Sequence, residues 1–132
     1  MKTVFLIVIL CGLAGMWVLY DRANYDSEAV AKEALAKINE YRVEEGLGSL
    51  AWDYELAELA KAHSQAMNEV GLLRHSSFPY NENILEGGFY SKGDTIAKLW
   101  KESPAHYQVM MSKDIQRGAV GIEESYATFL AR

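Results

Sequence analysis

Gly118-Ala119-Val120-Gly121-Ile122-Glu123-Glu124-Ser125-Tyr126-Ala127-Thr128-Phe129-Leu130 (GAVGIEESYATFL) is the stretch on which the fold class turns. Gly118 to Ile122 and Tyr126 to Leu130 read as strands, joined around Glu123-Glu124-Ser125. They predict a hairpin that closes the chain. The periodic segments upstream read as helices, so the hairpin separates an all-α bundle from an α+β order. Helices first and a small antiparallel sheet later means α+β.

Moving upstream, Asp94 is placed to cap a helix through Ile96, Leu99 and Trp100, broken before Pro104. Ala105 to Met111 predicts one or two further turns. Leu72 to Tyr90 reads as an irregular stretch holding His75, Pro79, Asn81, Glu82, Asn83 and Gly87-Gly88. Before it, Asp53 is placed to cap a helix to about Val70, with Gly71 as its stop. Leu56, Leu59, Ala60, His63, Ala66, Met67 and Val70 share one face at helical spacing. His63 on that face reads as a core histidine with one hydrogen-bond partner. Ser27 is the expected N-cap of an earlier helix reaching about Glu45, with Val30, Ala34, Leu35, Ile38 and Tyr41 as its apolar stripe. Gly46-Leu47-Gly48-Ser49-Leu50-Ala51 matches G-x-G-x-x-A, but it follows a helix and lacks a βαβ setting. It reads as a helix stop.

The N-terminus differs in kind. Val4 to Tyr20 (VFLIVILCGLAGMWVLY) carries no charge and follows only Met1, Lys2 and Thr3. As a helix it would be roughly 26 Å long, near the lower limit for crossing a bilayer. Trp17 and Tyr20 at its far end suit the headgroup region. Residues 1–20 therefore predict a membrane anchor through residues 4–20 with the remainder outside the cytoplasm. A cleavable signal segment with Gly12-Leu13-Ala14 as cleavage site, giving a secreted protein, is the competing reading. Residues 21–26 read as a polar linker and 27–132 as the working domain.

Length and composition bound the rest. A chain of 132 residues, 50% hydrophobic and 23% charged, fits a packed domain and excludes disordered or collagen-like classes. Net charge is −5; from residue 21 onward 12 basic and 18 acidic residues leave −6. That acidity excludes a nucleic-acid partner, since phosphate attraction needs a basic face. The one cysteine, Cys11, excludes an internal disulfide framework and lies in the apolar run. The outer domain must hold by packing, which roughly 100 residues can manage.

Of the three histidines, His75 shares its segment with Glu82, and His106 follows Pro104 near Glu102. Two imidazoles and a carboxylate form a divalent-metal set, with water filling a fourth place on zinc. The same groups can polarise water or hold a small anion. Spacing alone leaves their convergence open, and solvated surface histidines are the default. There is no H-E-x-x-H, G-x-S-x-G, P-loop or cysteine nucleophile in the sequence.

A family resemblance covers almost the whole outer domain. Asn39-x-x-Arg42, Gly46-Leu47, Leu50, Trp52-Asp53 and Leu56 resemble the opening motif of the CAP superfamily, also called SCP/PR-1-like. Ala60-x-x-His63-Ser64-x-x-Met67, then His75-Ser76 and Asn81-Glu82-Asn83-Ile84, continue the likeness. Trp100-x-x-Ser103-Pro104-x-His106 resembles the form in small prokaryotic members, and Gly118-x-Val120-Gly121-Ile122 the family's G-[VA]-G strand. The resemblance implies an α-β-α sandwich with a central cleft lined by two histidines and two acidic residues. His75, Glu82 and His106 match three of these roles. The fourth falls on Ser103, with Glu102 one helical step of about 100° away. Asn81 stands where the family has glycine, and asparagine tolerates positive φ. Asn83 is expected to tie loop backbone together rather than contact a ligand.

The His75/Glu82/His106 set without a complete catalytic signature, behind the expected anchor, predicts an extracytoplasmic, non-enzymatic binding module whose cleft holds Zn2+, another divalent cation, a small ligand or a protein partner. His75 and His106 are the metal candidates, and Ser103 and Glu102 the adjoining cleft candidates. A metal-assisted hydrolase of peptide or envelope material, with Glu82 as base, is the alternative; the missing fourth acid counts against it. Lipid or sterol binding is the third reading, resting on Phe78, Tyr80, Phe89 and Tyr90.

Overall fold

The computed structural model describes residues 25–132, so the anchor expected at residues 4–20 lies outside the described residues. Among those described, no helix is long and apolar enough to cross a membrane. In chain order the elements are α1 (Ser27–Glu44), β1 (Ala51–Trp52), α2 (Tyr54–Val70) and β2 (Asn81–Glu86). They continue with α3 (Gly93–Glu102), α4 (Pro104–Met110), β3 (Arg117–Glu123) and β4 (Tyr126–Ala131).

Helix boundaries follow local chemistry, with two corrections to the expected caps. Asp26, not Ser27, caps α1: its Oδ1 accepts the amides of Glu28 and Ala29 at 3.0 and 3.1 Å. The last residue of the expected linker thus serves as the cap of the helix. Asp94 does not cap α3, which starts one residue earlier behind Lys92. The Gly93 amide is satisfied instead by Glu33 Oε2 of α1 at 3.0 Å, a tertiary cap invisible to local sequence. Asp53 caps α2 as expected, accepting Leu56 N at 3.1 Å, and Gly71 ends it at φ 64.

Strands are ordered β1-β3-β4-β2. The expected hairpin forms β3 and β4, with Glu123 opposite Tyr126 and Glu124 at φ 50 in the turn. Two strands were not expected. β2 pairs antiparallel with β4 inside the segment read as irregular, from Asn81↔Ala131 to Glu86↔Tyr126. β1 pairs parallel with β3 at Arg117 and Gly118, so the sheet is mixed rather than purely antiparallel. The reason is that β1 feeds directly into α2, and that helix lies along β3.

Side chains alternate across the sheet. Val120, Ile122, Ala127, Phe129 and Ala131 join α1 and α3 in the larger core, around the fully buried Ile38 and Trp100. On the other face Ala119 and Leu130 pack against Leu56 and Ala60 of α2, while Ile84 and Tyr126 meet Met67. The chain is therefore an α+β sandwich with helices on both faces. Asn39 and Arg42, resembling a family motif, hold the turn after α1. Asn39 exchanges two bonds with Leu50 at 2.7 and 3.0 Å. Arg42, buried, donates to the carbonyls of Gly48, Met110 and Ser112 at 2.7–2.9 Å.

Candidate functional site

His75 lies just beyond the C-terminus of α2, in a turn held from behind by His63. The His63 Nε2–H donates to the Arg74 carbonyl at 2.7 Å, and its ring meets Phe78 edge-on at 6.2 Å. His63 is buried and makes this hydrogen bond, in keeping with a core histidine.

Glu82 is the second residue of β2, opposite Leu130. Its carboxylate collects three donors from the preceding turn: His75 Nδ1 at 2.7 Å, Ser76 N at 2.9 Å and the Ser76 hydroxyl. The Glu82 side chain is 8% exposed, whereas that of His75 is 65% exposed. A buried carboxylate facing Nδ1 fixes the proton there in neutral His75, leaving Nε2 as the free lone pair. Ser76 was quoted from sequence only as the second half of His75-Ser76. Its role as a double donor to Glu82 was missed, and its adjacency to His75 was the available signal.

Asn83, the next residue, serves the opposite face. It is fully buried, and its Nδ2 donates to the His106 carbonyl at 2.9 Å, tying β2 to α4. The amide is structural, as expected, although its Oδ1 is buried without a partner. Trp100 adds a second tie, its Nε1 donating to the Ile84 carbonyl at 3.2 Å. These contacts set the first turn of α4 against β2. The half-buried His106 imidazole has its pKa pushed below the usual value, first by burial and then by the charge of His75. His75 and His106 are thus within electrostatic range of each other.

The adjoining candidates go elsewhere. Glu102 is exposed and lies 3.9 Å from Lys98, a shallow pair along the α3 surface. Ser103 is the half-buried hinge between α3 and α4, and its carbonyl accepts Tyr107 N at 2.8 Å. Asn81 opens β2 without a positive φ, so its expected left-handed role does not arise. Among the described residues, no three His, Cys, Asp or Glu side chains are grouped as a metal centre. The geometry offers one imidazole held on a carboxylate and a second, partly buried imidazole nearby.

Comparison with known proteins agrees with this architecture. The CAP family model, described as the cysteine-rich secretory protein family, matches residues 35–130. The chain is 31% identical over 112 residues to the uncharacterized membrane protein YlbC of Bacillus subtilis, covering 74% of this chain and 32% of that one. It is 29% identical over 102 residues to pathogenesis-related protein 1 of Arabidopsis thaliana, covering 77% and 61%. The chain therefore spans about a third of the first relative and three fifths of the second. Among solved structures, an extracellular SCP-domain protein from Bacillus anthracis aligns with TM-score 0.73 and 20% identity, over 80% of this chain and 40% of that one. An outer surface protein from Borrelia burgdorferi aligns with TM-score 0.67 and 17% identity, over 81% and 95%. At those identities the structural likeness speaks for the fold alone. The family model spans most of the chain and takes in Asn39, Arg42, His75, Glu82 and His106, and the chain belongs to the CAP, or SCP/PR-1-like, family.

Proposed function

We propose that this CAP domain works outside the cytoplasm as a non-enzymatic binding module, with His75 and His106 as its recognition groups. The carrying observation is the state of Glu82: nearly buried, it already accepts from His75 Nδ1, Ser76 N and the Ser76 hydroxyl. A carboxylate so engaged is a poor general base, because it must break these bonds before it takes a proton. It is well suited to orient an imidazole. A carboxylate behind Nδ1 is the outer-shell arrangement found behind metal-bound histidine, with Nε2 as the ligating atom.

The donor set fits a weakly held divalent cation such as zinc. His75 and His106 would supply imidazole ligands, with solvent or a partner's side chain completing the shell. Bound there, the cation would act as a Lewis acid for a ligand's oxygen or nitrogen. Without it, the same two imidazoles offer a hydrogen-bonding pair to a small ligand. The apolar run at residues 4–20 supports the extracytoplasmic placement.

Calorimetric titration of zinc into the full chain, beside His75→Ala/His106→Ala, tests the metal version. Binding lost in the double variant is the expected result. Equal heats from both proteins would end it.

A further inference from the structure

Arg42 is a buried cation without a counter-charge. It is 2% exposed, yet it enters no ion pair among the described residues. Its partners are carbonyl oxygens: Nε donates to Gly48, and Nη1 to Met110 and Ser112. Those at the end of α4 offset part of the charge through the helix dipole. They do not neutralise it, and buried charges are ordinarily paired. Burial pulls the Arg42 pKa below the ordinary arginine value. Nη2 keeps both of its hydrogens without a protein partner among the described residues.

Beside it lies a cavity of about 460 Å³, bordered by Arg42, Leu47, Gly48, Ser49, Lys113 and Ile115. No acidic residue lines it, in a domain whose net charge is −6. Lys113 brings a second cation, exposed and without an ion pair among the described residues. Glu45 accepts the Tyr107 hydroxyl at 2.7 Å, and neither it nor Asp114 borders the cavity. The turn that forms one wall is pinned at both ends. Gly46 N and Leu47 N bond back to the Val43 and Arg42 carbonyls at 2.9 and 2.8 Å, and Leu50 N takes Asn39 Oδ1 at 2.7 Å. Between these ends the amides of Gly48 and Ser49 and the Ser49 hydroxyl remain donors without a protein partner among the described residues.

We propose that this cavity is an oxyanion site that takes the phosphate group of a small organic ligand. Arg42 Nη2 and Lys113 Nζ face the phosphate, whose charge of about −1.5 to −2 at neutral pH matches two cations better than a carboxylate does. The Gly48 and Ser49 amides and the Ser49 hydroxyl supply further donors to its oxygens. The space exceeds what a phosphate alone fills, and Leu47 and Ile115 offer an apolar wall to the organic part. His75 and His106 do not border this cavity, so the site is separate from the imidazole pair.

The test titrates the nitrogen-15-labelled full chain with inorganic phosphate, phenyl phosphate and acetate, each against chloride at equal ionic strength. It is read from the Gly48 and Ser49 amides and the Arg42 Nε–H. Expected are saturable shifts at all three with phosphate, tighter binding of phenyl phosphate and weaker binding of acetate. Lys113→Gln/Ser49→Ala, at exposed positions with unchanged circular dichroism, should weaken phosphate binding about tenfold or more. His75→Ala/His106→Ala should leave it unchanged, whatever becomes of zinc binding. Shifts that chloride reproduces or that never saturate would overturn the proposal, as would shifts confined to His75 and His106. So would equal phosphate affinity in Lys113→Gln/Ser49→Ala. Acetate binding as tightly as phosphate would overturn the phosphate assignment, and phenyl phosphate binding no tighter than inorganic phosphate would overturn the organic part.

Discussion

Glu82 Oε1 lies 2.7 Å from His75 Nδ1 and also accepts Ser76 N at 2.9 Å, so one carboxylate oxygen organises two consecutive residues. Glu82→Gln presents an amide to these donors and removes the charge. Hydrogen bonds to a charged group contribute roughly 1.5–3 kcal/mol each, and the glutamine retains a neutral acceptor, so a net loss of about 1–3 kcal/mol is expected. Chemical denaturation measures it. The accompanying sign is loss of tautomer preference at His75, read from imidazole nitrogen shifts at alkaline pH. A variant that keeps Nδ1–H dominant would show that Glu82 does not orient the ring.

Asn83 makes a second test, because it joins β2 to α4 from a fully buried position. Asn83→Ala leaves the His106 carbonyl without its 2.9 Å donor and opens a void. A loss of about 1–3 kcal/mol is expected from the unsatisfied group, with the void adding to it. The local consequence is distinctive: α4 should loosen before the rest of the domain. Faster amide exchange confined to residues 104–111 would bear this out. Uniform acceleration across the sheet would count against the tie.

Asp53 carries the pH dependence. Burial pushes its pKa up most strongly as a single effect, but bonds from Leu56 N, Arg117 and Arg132 together outweigh it and hold the pKa below the usual value. The guanidinium contacts are 3.1 Å from Arg117 Nε and 2.9 Å from Arg132 Nε. A carboxylate with a depressed folded pKa binds fewer protons folded than unfolded. Its contribution is present above the unfolded value of about 3.9 and lost as pH falls through the folded value. Asp53→Asn keeps an N-cap and removes the charge. It should cost roughly 1.5–3 kcal/mol at neutral pH and flatten the acid limb of the stability curve. An unchanged acid limb would assign that limb to other carboxylates.

What the sequence disclosed follows the range of the interactions involved. Helices α1 and α2 and the β3–β4 hairpin were legible because periodicity, Gly71 and the turn at Glu123-Glu124-Ser125 are local signals. β2 was not, since Asn81-Glu82-Asn83 has the composition of a loop and becomes a strand only by pairing with β4. β1 is two residues long, too short to show a period, and its parallel partner lies 66 positions away. Glu33 caps α3 from 60 residues upstream, which displaced the expected Asp94 cap. At the site, His75 and Glu82 were matched by motif, and their contact follows. Glu102 was flagged as one helical step off, and it does run along the surface to Lys98. Ser76 escaped because a hydroxyl beside a histidine carries no spacing signal of its own.

Two glycines set close backbone approaches, Gly121 of β3 against α2 and Gly93 of α3 against α1, and they give the sharpest packing test. A Cβ at Gly121 would run into the α2 backbone at Ala60 and Lys61, and one at Gly93 into the α1 backbone at Val30 and Ala34. Backbone cannot move aside as a flexible side chain can, so each helix must shift outward from its neighbour. Overpacking of this kind costs roughly 1–3 kcal/mol or more, and Gly121→Ala and Gly93→Ala are each expected near the upper end. Gly48 is the internal control: nothing lies within 4 Å of its added Cβ, and Gly48→Ala should change stability by about 0.5 kcal/mol at most. Gly121→Ala carries a second expectation, because the α2 C-terminus positions the turn bearing His75. Displacing α2 should lengthen the reach from His75 Nδ1 to Glu82 and alter the imidazole nitrogen shifts, while Gly93→Ala, acting through α1 and α3, leaves them in place. Equal perturbation of His75 by both variants would mean that the site follows global stability and not the seating of α2.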